Sequence, residues 1–219
     1  MALLHAVNTR GSALDTIAFL SQKGGGGKTT LAVHCAVAAL ADGSRVAIID
    51  TDPQGTATRW GQDRKADTPA VAKATAQQLD DVLAAARHDV MTYCLIDSAP
   101  HATPSASRVA AAADFIIVPV RPTAFDLAAV PATMAIIQAS GRRAAFVLSA
   151  CPTRSAETAE ATDVLESYGI PVAPAIIHER RAFSRAVATG RAVAEFEPGG
   201  KAAQEITDLW SWIKSELKK

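Results

Sequence analysis

A single-domain α/β fold, a mostly parallel twisted sheet with helices on both faces, is what this sequence predicts. Three observations carry it. A glycine run, Gly24-Gly25-Gly26-Gly27, joins an apolar stretch to a helix-like one. Short apolar runs then alternate with helical periodicity, the pattern of buried parallel strands joined by crossover helices. Acidic residues end two of those runs, at Asp50 and Asp97, where an open parallel sheet carries its ligands.

The elements follow in order. Residues 1–15 precede the first strand as an N-terminal arm, and 16–219 form the domain. Strand one is 16–21, and the helix after the glycine run spans 29–42 and stops at Gly43, a residue that tolerates the left-handed turn of a helix end. Strand two is 45–50, with a polar loop at 51–55 and a helix through Trp60. An extended piece near Val71 precedes a helix over 76–87 and a strand over 93–97. A helix at 105–112 leads to a strand at 115–120, broken by Arg121-Pro122-Thr123. One helix is expected over 125–140, ending at Gly141, then a strand at 144–149, a helix at 156–168 and a strand at 171–177. A basic segment, 178–191, and a helix at 200–217 close the chain. No repeat or low-complexity linker divides it.

The chemistry concentrates at Gln22-Lys23-Gly24-Gly25-Gly26-Gly27-Lys28-Thr29-Thr30. Four glycines let the backbone curl and turn its N–H groups toward an anion. The helix that follows adds its partial positive charge at the same point. Strand, glycines, Lys-Thr and helix in that order read as a phosphate-binding loop: Gly24 to Gly27 cradle phosphate with Thr30, Lys28 reaches the β- and γ-phosphates, and the Thr29 hydroxyl holds Mg²⁺. Asp97, ending a buried strand beside that loop, is placed to hold Mg²⁺ through water. The absence of an Asn-Lys-x-Asp guanine motif favours ATP over GTP.

Composition excludes more than it assigns. The chain has 219 residues and 49% hydrophobic content, enough for one domain with a substantial core. Twenty-two basic residues balance 22 acidic ones, so any nucleic-acid or membrane surface has to be a local patch. No apolar run approaches the ~18 residues of a spanning helix. Cys35, Cys94 and Cys151 show no pair spacing and read as buried thiols of a cytoplasmic protein. From His178 to Arg191 there are four arginines and one acid. In the last helix Ile206, Leu209, Trp210, Ile213 and Leu217 share a face. Glu205, Asp208 and Glu216 dilute its charge, so packing on the domain is expected rather than membrane attachment.

With Lys23 at its head, the glycine loop resembles the deviant Walker A loop of the ParA/MinD ATPases, and Asp50-Thr51-Asp52-Pro53-Gln54-Gly55 resembles their switch I segment. The likeness covers the chain from about residue 16 onward and is nearest the short, ParF-like ParA proteins of plasmid partition. It implies a phosphate-loop NTPase, an ATPase stimulated by a partner. Lys23 is implied to cross a dimer interface to the partner's nucleotide, Asp52 to position the attacking water, Asp50 to support the metal's water shell, and Asp97 to act as the Walker B acid. Pro122 is implied to face adenine, and Arg180, Arg181 and Arg185 to contact DNA phosphates without reading sequence. The implied partners are a second copy in the ATP state, non-specific nucleoid DNA, and a separate ParB-like centromere-binding or cargo adaptor, since fifteen residues before strand one cannot hold a helix-turn-helix domain. A MinD-type membrane-surface ATPase is the alternative. A dethiobiotin-synthetase-like ligase would use the same scaffold with a small substrate.

Overall fold

The structure is a computed structural model, and it describes residues 14–100 and 103–219. All but the last two residues of the expected N-terminal arm lie outside the described residues.

Six parallel strands form one sheet in the order β3-β2-β4-β1-β5-β6. They are β1 (Asp15–Phe19), β2 (Val46–Asp50), β3 (Ala70–Lys73), β4 (Tyr93–Asp97), β5 (Phe115–Val120) and β6 (Arg143–Leu148). β1 lies inside the sheet, paired with β4 on one side and β5 on the other. The chain therefore reverses its direction of winding beside β1, and a crevice opens at the carboxyl ends of the strands. Registers place Asp50 of β2 directly opposite Asp97 of β4, and Asp97 opposite Phe19 of β1.

The alternating side chains of β1 sort the core into two layers. Ile17 and Phe19 face α1 (Lys28–Ala41) and the last helix, α10 (Lys201–Leu217), whereas Ala18 and Leu20 face the helices of the other side. That other layer comprises α3 (Leu79–His88), α4 (Thr103–Ala112), α6 (Val130–Ser140) and α7 (Ala156–Glu166). α2 (Thr56–Asp63) and two short helices, α8 (Arg181–Val187) and α9 (Val193–Phe196), join the first layer. Ile206, Leu209, Trp210 and Ile213 of α10 are all buried there. Trp210 Nε1 donates to Asp42 Oδ2 at 3.1 Å, and Lys214 pairs with the same carboxylate. The apolar face of the last helix is thus spent on α1.

Two expected elements differ, both because of proline. The helix expected over 125–140 is broken into α5 (Ala124–Leu127) and α6. Pro131 stands in the first turn of α6, where its missing N–H costs nothing; continuing from α5 would set its ring against the Leu127 carbonyl. The strand expected over 171–177 does not form. Its backbone follows β6 through Ala173 N–H to Phe146 O at 2.8 Å and Ile177 N–H to Leu148 O at 3.0 Å. Four residues on one side answer two on the other, so the ladder is interrupted, with Pro174 and its missing N–H inside the excess.

Gly190 closes the turn between α8 and α9 at φ +65°, and a Cβ there would lie 2.4 Å from the Asp63 carbonyl oxygen. Gly141 has φ +64° with nothing within 4 Å. Both glycines serve the left-handed backbone, but only Gly190 also serves a close approach. Gly190→Ala is expected to destabilise the protein by ~2–3 kcal/mol and Gly141→Ala by ~1 kcal/mol. Thermal unfolding of the two variants side by side checks this; equal losses would show that the approach to Asp63 is not tight.

Candidate nucleotide-binding site

The glycine loop leaves β1 and enters α1 with two left-handed residues, Gly25 at φ +77° and Gly27 at φ +100°. Gly26 lies between them, and a Cβ on it would meet Pro119 O at 3.2 Å. Ser149, just past β6, fixes the loop by donating to Gly26 O at 2.6 Å. Gly27 gives α1 no side-chain cap. The first-turn N–H groups therefore remain available to an anion, reinforced by the helix dipole.

Lys28 is buried, and its ammonium donates to Lys23 O at 3.0 Å. Burial lowers its pKa, opposed by the charges of Asp97 and Asp52. Thr29 Oγ1 donates to Asp97 Oδ2 at 2.6 Å. Asp97 has no exposed surface, and its other oxygen, Oδ1, is buried without a hydrogen-bond partner. Burial pushes this carboxyl up to about 7; the Thr29 bond lowers it and the Asp50 charge raises it further.

Asp50 sits beside Asp97 in register, equally buried, but its oxygens are committed. Oδ2 accepts from Thr58 N–H and Thr58 Oγ1, both at 2.8 Å, and Oδ1 accepts from Asp52 N–H at 3.1 Å. Asp50 thus ties the 51–55 loop to the start of α2. Thr51 ties the same loop to β4, donating through N–H and Oγ1 to Asp97 O at 2.9 Å each. Asp52, held between them, lines a cavity of about 280 Å³ with Gly24, Gly25, Gly27, Lys28, Thr29, Thr30 and Gln54.

These residues suit Mg²⁺ together with a polyphosphate. Mg²⁺ takes hard oxygen donors, usually one or two carboxylates plus phosphate and water. Thr29 Oγ1 and the unpartnered Asp97 Oδ1 are such donors, and among the described residues no three His, Cys, Asp or Glu side chains converge into a cage that would select another ion. Thr29 and Asp97 would hold the ion, and Asp50 would steady the surrounding loop.

A second cavity, of about 760 Å³, shares Gly25, Gly27 and Thr30 with the first and extends past Ser149 and Pro152 to Arg180 and Phe183. It is wide enough for a nucleoside. The 149–154 loop borders it. Pro122 does not line it; it stands just before α5 and is buried.

The three arginines assigned to DNA part company. Arg180 and Arg181 both border the second cavity, and Arg180 is bound to Glu205 Oε1 through Nε at 3.0 Å and Nη2 at 2.6 Å. Those hydrogen bonds hold its pKa above the usual guanidinium value. Arg181 and Arg185 are exposed on α8, with Arg185 stacked 5.4 Å from the Phe196 ring centroid. Lys23 turns away from the cavity to Asp126 Oδ2, at 3.1 Å. Asp126 also accepts from Arg121 and Thr123. Burial raises its carboxyl, and the bonds from Arg121, Thr123 and Lys23 bring it below the usual range. Asp126 and Thr58 carry no motif signal in the sequence, and Glu205 reads there only as a charge on the last helix. Each is a single polar residue whose partner lies far along the chain or outside any recognised pattern.

Loop, buried lysine, hydroxyl and carboxylate at the switch point of a parallel sheet define a phosphate-loop nucleotide-binding domain. Residues 17–193 match the CobQ/CobB/MinD/ParA nucleotide binding domain, and the chain belongs to that family. It is 32% identical over 206 residues to the maintenance of carboxysome distribution protein A of Gloeobacter kilaueensis, covering 92% of this chain and 93% of that one. The protein of the same description from Halothiobacillus neapolitanus is 29% identical over 206 residues, with 89% and 94% covered. The septum site-determining protein MinD of Pyrococcus horikoshii, solved with Mg-ADP, has the same fold, with a TM-score of 0.75 at 19% identity over 93% of this chain and 97% of that one.

Asp97→Asn separates the cost of the buried charge from its use. A carboxyl raised to about 7 binds its proton more tightly in the folded state than in the unfolded one. Its penalty on stability is therefore absent in acid, grows above the unfolded value near 4, and is complete above about 7. At pH 8 the nucleotide-free Asp97→Asn protein should melt above wild type, and the gap should narrow as the pH falls from about 7 toward 4. ATP turnover should be lost. Melting curves over that pH range check the sign.

Proposed function

We propose that this chain is a Mg²⁺-dependent ATPase that closes into a dimer over two ATP molecules, binds DNA without sequence preference in that state, and distributes a large cargo with a separate adaptor protein. The observation that carries the reading is Lys23. A loop lysine that neither faces its own phosphate cavity nor lies free in solvent, but rests on Asp126 beside the cavity mouth, suits a cation used on another subunit's nucleotide. The carboxysome named for the two relatives favours a cellular body as cargo over a plasmid. The Mg-ADP of the structural neighbour is in keeping with an adenine nucleotide at the loop.

In this reading the N–H groups of Gly24 to Gly27 and Thr30 cradle the phosphates, and Lys28 leaves the Lys23 carbonyl to meet the β- and γ-oxygens. Mg²⁺, when bound, neutralises charge that develops on those oxygens. Asp52 orients the attacking water from the loop that Asp50 and Thr51 hold in shape. Pro122, outside the second cavity, is left the role of ending β5 rather than framing adenine. Arg181 and Arg185 bind DNA phosphates, and pairing two such patches in a dimer raises avidity without a new kind of interaction. Arg180 supports the patch by holding the start of α8 to Glu205. The cell site in keeping with this is the nucleoid.

Two outcomes test the reading. Lys23→Gln should leave ATP binding intact and abolish nucleotide-dependent dimerisation in sedimentation velocity; a normal dimer would sink the assigned role. Arg181→Glu with Arg185→Glu should keep the dimer and remove DNA co-sedimentation. Alanine at the same two positions, a milder change, should flatten the slope of log affinity against log salt by ~0.9 for each phosphate that is no longer neutralised.

A further inference from the structure

Asp52 opens a tight turn. Gly55 N–H donates to Asp52 O at 2.9 Å and closes the turn over Pro53 and Gln54. The Asp52 carboxylate accepts the Gln54 N–H through Oδ1, also at 2.9 Å, the local bond by which aspartate shapes turns. The carbonyl of that same peptide unit belongs to Pro53, and Lys73 Nζ donates to it at 3.1 Å. The 53–54 peptide is therefore held at both ends, by a carboxylate on its N–H and by an ammonium on its oxygen. Lys73 is the last residue of β3, an edge strand, and lies opposite Asp50 in the ladder. The next residue, Ala74, donates its N–H to Asp50 O at 3.0 Å. The stem of the lysine thus starts from the strand end at which the 51–55 loop departs. Gly55 leaves room for it: its φ is +65°, and a Cβ there would lie 3.0 Å from Lys73 Nζ.

We propose that Lys73 is a positioning residue for ATP hydrolysis, setting the direction of the Asp52 carboxylate through the Pro53–Gln54 peptide. The inference rests on the reading in which Asp52 orients the attacking water. Proline fixes φ at residue 53, so the freedom left at that point is rotation of the peptide that follows. A peptide unit is planar, and its N–H and C=O turn together. A charge-assisted bond on the oxygen therefore fixes where the N–H points, and with it the place at which Oδ1 is engaged. Oδ2, which accepts from none of the described residues, is left for another donor. Packing gives this turn little help. Asp52 borders two cavities, the phosphate one and another of about 450 Å³ that it shares with Thr51, Pro53, Lys73 and Gln78. A loop between cavities keeps its shape through polar ties rather than through close-packed side chains. Lys73 is exposed, so its bond adds little to global stability. The direction of a group that places a reacting water matters far more to rate.

The test follows ATP turnover by the full chain with Mg²⁺ over a range of ATP concentrations. A fluorescent ATP analogue is titrated for affinity, and thermal unfolding is recorded in parallel. Lys73→Met keeps most of the stem and removes the donor. It should lower kcat by at least ~10-fold, the scale of loss that misplacing a reacting group brings, while analogue affinity and melting temperature stay at wild-type values. Lys73→Arg, which keeps charge and donor, should recover most of the rate. A wild-type kcat in Lys73→Met overturns the inference. So does a loss that Lys73→Arg shares in full, or one that comes with weaker analogue binding or a lower melting temperature, since a structural prop would give those. Wild-type turnover by Asp52→Ala overturns instead the role given to Asp52, and this inference with it.

Discussion

Two buried carboxylates side by side are the constraint around which this molecule is arranged. Asp50 and Asp97 end adjacent parallel strands in register, neither with exposed surface. Two negative charges so placed repel each other in a medium that screens poorly. The structure resolves the conflict unequally. Asp50 receives three donors from Asp52 and Thr58 and becomes a fixed part of the 51–55 loop. Asp97 receives one, from Thr29, keeps an oxygen with no partner, and has its carboxyl pushed up to about 7. One acid organises the loop, and under the proposed function the other would hold the cation. Position beside the glycine loop alone does not separate these roles; the donor count does.

The sequence made the loop and the central strands legible because both are written locally. Glycines at 25 and 27 answer positive φ, and β2, β4 and β5 read as unbroken apolar runs since both their faces are covered. What escaped is written between distant segments. The apolar spacing through 125–140 is helical throughout, and only the steric demand of Pro131 on Leu127 divides it. The run at 171–177 has the composition of a strand, yet Pro171 and Pro174 leave gaps in its donors and the ladder with β6 fails. The basic segment was visible as a charge cluster, but Arg180 was not separable from Arg181 until Glu205, 25 residues on, took its guanidinium. Pro122 follows β5 and precedes the Thr123 cap of α5, so its place in the chain has a local reason apart from any ligand.

The glycine loop and the basic segment are joined through α1 rather than through a hinge. His34, on α1, accepts the Val193 N–H at 3.1 Å, and its ring meets Phe183 of α8 edge-on at 5.1 Å. Burial pushes His34 down to about 3, so it remains a neutral acceptor across the physiological range. Trp60 of α2 donates to Arg191 O at 3.2 Å, and Arg64, just after α2, pairs with Glu195 of α9. The exposed arginines therefore ride on the same packed layer as the helix whose N-terminus faces the phosphate cavity.

That rigidity bears on how a nucleotide signal would reach a DNA surface. A subunit whose basic helix is bound to α1 by buried packing has little freedom to rearrange it when phosphate enters the loop, because close-packed layers shift between discrete arrangements instead of deforming smoothly. The parts of the site held by replaceable polar bonds are different ones: Lys28 on the Lys23 carbonyl, Lys23 on Asp126, and Asp97 with an oxygen to spare. All three lie around the glycine loop at the carboxyl ends of the strands. Exchange of those bonds for bonds to phosphate, metal or a facing subunit changes what the surface presents without moving the layer beneath it. Under the proposed function, a switch built this way would act by assembling two fixed patches, and its sensitivity would reside in a few side chains around the glycine loop.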